Sequence, residues 1–403
     1  MGVAAQLYQH MTAHVVIFVV SPFPLSPTYP IIGGVFEETR WGSTHSPDVP
    51  AARASSWRDA RVPFRVVERH VVVPDPFVSA ELPRVTAEVE HLSRLGAEFF
   101  PGDPIRRKRL SRMNPANPAT RRLSEMMPLF GPWLASVPTA AALHPLYEPE
   151  SGALPSGQLI DEGAREWFRN LADARGIRSR AAVMCRVLEE QALAQPERPQ
   201  RWLSLASGAA QPVFRSLSSV DAHGAPVPEV TLVDLDRSAL RLAGRYAEAH
   251  APAASVDLIR ANVLRRRGLG PRWWQPVEGP SAPWREHFDA VDAVGLLEYL
   301  KAEDWRYTYK GILTTKRRMA GAVTFLRNAW ACVRPGGFLL LGNMLDTHPQ
   351  LGFTLNVIQW PHIQPRSVAA MVDLFARAEL RGSVEVIRPS DGVYAVYVVR
   401  KAK

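Results

Sequence analysis

From Arg201 to the end of the chain, short apolar runs rich in β-formers alternate with amphipathic segments of helix length. Strands are expected at Trp202–Ala206, Val230–Asp234, Ser255–Arg260, Ala290–Val294 and Phe338–Gly342, with helices between them such as Ser238–Ala249 and Ala320–Val333. Strand–helix alternation forces crossover connections, and crossovers give parallel strands covered by helices on both faces. The end of the pattern differs. Val384–Ile387 and Tyr394–Arg400 flank Ser390-Asp391-Gly392, a turn sequence suited to an antiparallel hairpin. Five βα units closed by a hairpin are a narrow constraint on the fold.

At 403 residues the chain exceeds one ordinary domain, and what precedes the alternation must be accounted for. Residues 1–155 are Pro-rich, with a strand-like run at Phe64–Val73 and an amphipathic helix around Val85–Phe100; they read as an extension serving as lid, oligomerisation arm or specificity element. An arm of the second kind would make a homodimer. Residues 156–200 read as two helices broken at Gly176 that cover the sheet, and residues 201–403 form the α/β domain. With 46% hydrophobic and 22% charged residues the chain is an ordinary globular one, not a disordered one.

The net charge is +9, yet only 6 of the 48 basic residues are lysine and the clusters (Arg106–Arg109, Arg265–Arg267, Lys316–Arg318) are scattered. A nucleic-acid surface concentrates its cations on one element, so nucleic acid is disfavoured as a partner. The apolar run Val15–Val20 is far shorter than a bilayer span, lacks a basic stretch before it and is followed by Pro22 and Pro24, so neither a membrane segment nor a signal peptide is expected, and the location is read as cytoplasmic. Two cysteines, Cys185 and Cys332, are too few for a disulfide framework and read as buried thiols.

The chemistry gathers at strand ends. After the first strand, Ala206-Ser207-Gly208-Ala209 is a small-residue turn that lets backbone N–H groups approach a ligand, although a single glycine does not make a dinucleotide fingerprint. The second strand ends in Asp234-Leu235-Asp236: an acid at that tip can accept from both hydroxyls of a ribose, which favours Asp234, leaving Asp236 to cap the next helix or support it. Asn262-Val263 follows the third strand, where an amide reads an adenine edge or simply forms a turn. The fourth strand runs Phe288-Asp289-Ala290-Val291 into Gly295-Leu296-Leu297-Glu298-Tyr299, and Arg334-Pro335-Gly336-Gly337 leads into the fifth.

In that order these motifs resemble class I S-adenosylmethionine-dependent methyltransferases over roughly residues 160–403. Gly342-Asn343-Met344, Trp360 and Arg366 look more narrowly like bacterial carboxyl O-methyltransferases that form 3-hydroxy-acid methyl esters or serve β-lactone pathways. The resemblance implies a Rossmann-like, doubly wound, seven-stranded α/β sheet ending in the hairpin. It further implies S-adenosylmethionine as cofactor, held by Ala206, Ser207, Gly208, Ala209, Asp234, Leu235, Asp236, Asn262, Val263 and Gly295. The acceptor would be a small carboxylic acid of malate or hydroxy-acid type in specialised metabolism. Methylation of a small amine or RNA, or a non-catalytic Rossmann-like binding module, are the alternatives.

A carboxylate is already a nucleophile at neutral pH, so such an enzyme has to bind and aim an anion. Arg178 and Arg180, on the covering helix, could grip it or be solvated. Glu298 and Tyr299 are candidates for contacting substrate or the methionine amine. Asp346, His348 and His362 follow the fifth strand and could converge on one divalent cation (Mg²⁺, Mn²⁺ or Ca²⁺), the two histidines then serving catalysis; loop residues without special role are the alternative.

Overall fold

In a computed structural model of the chain, the residues described are 64–105, 113–264, 284–310 and 314–403. The Val15–Val20 run and the Arg106–Arg109 and Arg265–Arg267 clusters lie outside them. An eight-stranded sheet organises the molecule, built from β1 (Phe64–Val71), β2 (Arg201–Leu205), β3 (Glu229–Asp234), β4 (Val256–Arg260), β5 (Phe288–Ala293), β8 (Val333–Met344), β9 (Gly382–Pro389) and β10 (Tyr394–Arg400). Its order is β1-β9-β10-β8-β5-β2-β3-β4, parallel except for β10, which runs antiparallel to both neighbours. The sheet is thus Rossmann-like, doubly wound and closed by the β9–β10 hairpin. It has one strand more than the seven expected, because β1 adds to the edge by pairing with β9. A separate two-stranded hairpin, β6 (Trp305–Lys310) and β7 (Thr314–Met319), leaves the sheet after β5.

Ten α-helices among the described residues flank these strands. The N-terminal region supplies α1 (Leu82–Phe99), α2 (Pro118–Met126), α3 (Phe130–Ser136) and α4 (Ala140–Tyr147); then come α5 (Glu162–Asn170), α6 (Ala172–Leu193), α7 (Gln211–Ala222), α8 (Arg237–His250), α9 (Ala322–Cys332) and α10 (Val368–Arg377). Alternate residues of the central strands feed different cores, as the strand period of two requires. Leu203, Val291 and Leu339 pack with Phe325 and Phe375 of α9 and α10, whereas Trp202, Ala290 and Leu340 pack with Val183, Phe214 and Leu240 of α6, α7 and α8.

A third core belongs to the N-terminal helices. Phe130, Trp133, Trp167 and Phe168 interlock edge-to-face, with ring centroids 5.4–5.6 Å apart. The same cluster takes in Met344 at the end of β8 and Tyr394 at the start of β10. These helices therefore roof the end of the sheet where the parallel strands terminate. Prolines do not prevent these helices: Pro118 sits in the first turn of α2, where a missing N–H leaves nothing unsatisfied, and Asn117 caps that helix by accepting from the Ala119 N–H.

Gly176 does not break the covering helix. The break falls at Leu171, and Gly176 lies inside α6 because Val393 of the hairpin fills the place of a side chain: a Cβ there would be 2.4 Å from that valine. No helix among the described residues is long and apolar enough to cross a membrane.

Candidate active site

The strand order reverses between β2, which continues to β3 and β4, and β5, which continues to β8. Ligands of open α/β sheets bind in the crevice at that switch, beyond the carboxyl ends of the strands. The turn after β2 enters it. Ala206, Gly208 and Ala210 all take positive φ (52°, 56° and 54°), folding the turn tightly into α7. Asp234, at the tip of β3, accepts the Gly208 N–H on one carboxylate oxygen and the Asp236 N–H on the other, both at 2.8 Å. Burial raises its carboxyl above the ordinary range against these bonds. A carboxylate offers about four lone-pair sites, so capacity remains for a further donor. Ser207 brings a buried hydroxyl oxygen without a hydrogen-bond partner. Ala140, opening α4, stands 3.7 Å from where a Gly208 side chain would begin, so the N-terminal helices reach over this turn.

Around it, Asp236 caps α8 by accepting from the Ser238 N–H. Asn262 accepts from the Leu264 N–H, forming a turn, and Val263 is buried beside it. Leu235 is half-buried, its carbonyl accepting from Arg260.

Across the switch, the segment after β5 meets α6. Arg178 and Arg180 are both buried, not solvated, and their surroundings differ. Arg178 grips Asp75 with Nε and Nη2 at 2.7–3.1 Å and donates to the carbonyls of Leu146, Phe168 and Arg169. Arg180 is 3% exposed and lies against Val294 and Gly295; its Nη1 is 3.4 Å from the Val294 carbonyl and 3.6 Å from Glu298 Oε1. The Tyr394 ring stacks under the guanidinium at 4.3 Å. Burial would lower its pKa, but Tyr147, Tyr394 and Glu298 outweigh that and hold it above its usual value. Its Nε and the Glu298 Oε2 are buried without hydrogen-bond partners. Burial pushes the Glu298 carboxyl up to about 7, against the lowering by Arg180 and the Met344 N–H. Arg366 fixes the loop carrying Glu298 by donating to Leu297 O, Leu300 O and Asn343.

Other expected site residues are occupied. The Tyr299 hydroxyl accepts from Trp360 Nε1 at 2.7 Å, and burial raises its pKa. Asp346, His348 and His362 do not converge: among the described residues no three His, Cys, Asp or Glu side chains are placed to hold a metal ion. The cause is local. His348 Nδ1 accepts the Gln350 N–H at 2.8 Å, which leaves the proton on Nε2, 3.3 Å from Asp173 Oδ1 on α6. Thr354 donates to the other oxygen of Asp173 at 2.7 Å. A buried imidazole with both nitrogens engaged has no lone pair for a cation and no access to a substrate proton. His362 lies in the turn after Trp360 with φ 60°, and the Asp346 N–H pairs with Arg366 O. Sequence reasoning missed Asp173, Tyr394 and the Asp292–Ser204 pair (3.0 Å) between β5 and β2, since each acts across elements distant in the chain.

No protein-family model matches the chain, and no curated protein matches it in sequence. Solved structures do resemble it. A possible exported protein from Bordetella parapertussis aligns at 17% identity and a TM-score of 0.50 over 79% of this chain and 97% of that one. The CMeT domain of the citrinin polyketide synthase aligns at 14% identity, TM-score 0.45, over 82% and 92% of the two chains. An O-methyltransferase family protein from Burkholderia thailandensis aligns at 17%, TM-score 0.40, over 80% and 97%. The likeness to the first of these is one of fold alone, a Rossmann-like, doubly wound α/β sheet.

Proposed function

We propose that the chain is an S-adenosylmethionine-dependent methyltransferase whose acceptor is a small carboxylic acid. The observation that carries the reading is the pairing of the tight turn Ala206–Ala210 with Asp234 on one side of the switch point and a buried, incompletely engaged Arg180 on the other. The first side suits a nucleoside: Asp234 retains acceptor capacity for ribose hydroxyls, and Asn262, Val263 and Gly295 would line the path of an adenosine in such a crevice. When bound, the cofactor supplies an electrophilic methyl group on a sulfonium.

The protein's own work is binding and orientation. In-line displacement gains most from holding nucleophile and electrophile aligned in a site shielded from water, and a carboxylate needs no general base. Arg180 would aim the anion, and the N-terminal helices over the crevice would exclude water. A cytoplasmic location fits this chemistry.

Calorimetry with S-adenosylhomocysteine tests the cofactor, and a mass-spectrometric screen of carboxylic and amine acceptors with S-adenosylmethionine tests the reaction. Methyl esters are expected among the acids. No binding would leave a non-catalytic module, and methylated amines alone would overturn the acceptor class.

A further inference from the structure

We propose that Arg180 is the receptor for a ligand carboxylate and that its resting counter-ion, Glu298, takes up one proton from solvent when that carboxylate arrives. The inference deepens the methyltransferase reading and rests on it for the ligand: the carboxylate is either the methionine tail of the cofactor or the acid acceptor.

Arg180 presents five N–H donors in a planar fork that matches a carboxylate. In this structure the fork is only partly used. Nη1 meets acceptors at 3.4 and 3.6 Å, the Tyr147 hydroxyl is a further neighbour, and Nε has no partner. Buried arginines are normally saturated, as Arg178 is. Nη2 lies beside Gly295, where the absence of a side chain leaves it 3.9 Å from the position a Cβ would take. That is the mouth of the switch-point crevice.

A carboxylate entering the fork becomes a second negative charge beside Glu298. From α6, Asp173 adds a further carboxylate, already engaged by His348 and Thr354. From β8 comes only the Met344 N–H, and from β10 and α4 come the phenols of Tyr394 and Tyr147. Tyr299, next in the chain, is tied to Trp360, and the donors of Arg366 are committed to the loop carbonyls and Asn343. Arg180 then faces two carboxylates out of water, and like charges so placed raise each other's affinity for protons. Glu298 stands poised for this, since burial already holds it at about 7. The balance is simple: its carboxylate gains one H⁺ from the buffer, and no bond in the ligand changes.

The test is calorimetry at about pH 8, above the resting value of Glu298 so that the proton must be taken up on binding, in two buffers of different ionisation heat. S-adenosylhomocysteine should bind wild-type protein with uptake of most of one proton. Methylthioadenosine, which lacks the amino-acid tail, should take up none, and neither should S-adenosylhomocysteine with Glu298→Gln. Wild-type affinity should fall about tenfold per pH unit above neutrality, while that of the variant stays flat; the wild-type series stands even where the variant folds poorly. Should S-adenosylhomocysteine bind without uptake, malate is titrated into the loaded protein, and uptake there assigns the receptor to the acceptor. Binding of both without uptake overturns the proposal. Failure of S-adenosylhomocysteine to bind at all refutes the methyltransferase reading instead; malate is then titrated alone, uptake supporting the carboxylate receptor and its absence overturning it.

Discussion

Arg178 and Arg180 stand two residues apart on α6, so they leave the helix on nearly opposite sides, and both are buried. One joins the start of the helical roof to the sheet domain: Asp75 and three carbonyls consume its donors. The other points to the crevice and has one carboxylate at ion-pair distance and a tyrosine face for company. The contrast teaches that burial of a charge does not by itself mark a functional site. What separates a structural arginine from a receptor is how many of its donors are already spoken for.

Breaking the two arginines separately is the strongest test of that contrast. Arg178→Met strands the Asp75 carboxylate and three carbonyls, and should lower stability by about 3–5 kcal/mol in denaturant titration. Arg180→Met should lose less than half as much, because the stranded Glu298 can neutralise itself by binding a proton. Equal losses would mean that Arg180 is as structural as its neighbour.

A second pair extends the comparison to carboxyls. Asp292 is fully buried, its carboxyl pushed up to about 7 by burial against the lowering effect of the Ser204 hydroxyl. Its folded value lies above its unfolded one, so the native state holds more protons between about pH 4 and 7, and stability falls as pH rises through that window. Asp292→Asn keeps an acceptor for Ser204 and removes the titration. The variant should show a flatter stability profile, with a gain on the order of a few kcal/mol over wild type above pH 7. An unchanged slope between pH 4 and 7 would show that Asp292 ionises without cost.

On the cofactor side, Asp234→Ala should weaken S-adenosylhomocysteine binding by ~1.5–3 kcal/mol, the scale of a charged hydrogen-bond partner lost. Unchanged affinity would reject Asp234 as the ribose acceptor.

Much of the fold was legible because a buried parallel strand is a continuous apolar run bounded by turns, and β2, β3 and β8 each contain such a run. The hairpin was legible from Ser390-Asp391-Gly392. What the sequence hid were relations across distance. Nothing local in Phe64–Val71 says that it pairs with Gly382–Pro389, and nothing near Gly176 announces Val393. The same holds for the site. Asp346, His348 and His362 look like a ligand set in one dimension, yet a single hydrogen bond from the Gln350 N–H turns the middle imidazole inward to Asp173. Arg178 and Arg180 are indistinguishable as letters. Strand-end motifs remain readable because the fold brings them to one crevice whatever the rest does.

The smallest expected effect separates two acids that the sequence places side by side. Asp236 is half-buried at the start of α8, where its carboxylate accepts from the Ser238 N–H and hydroxyl, and its geometry is that of an N-cap. Asp234, two residues earlier, holds the Gly208 and Asp236 N–H groups and faces the crevice. Asp236→Ala should therefore cost ~1 kcal/mol of stability, the ordinary value of a lost cap. It should leave S-adenosylhomocysteine affinity within about twofold, since the Asp236 N–H that orients Asp234 survives the substitution. Asp236→Asn, which keeps a capping oxygen, should recover most of the stability. A large loss of affinity in Asp236→Ala with little change in melting temperature would reverse the two roles, placing the nucleoside contact on the capping acid and leaving Asp234 as the brace that holds the turn.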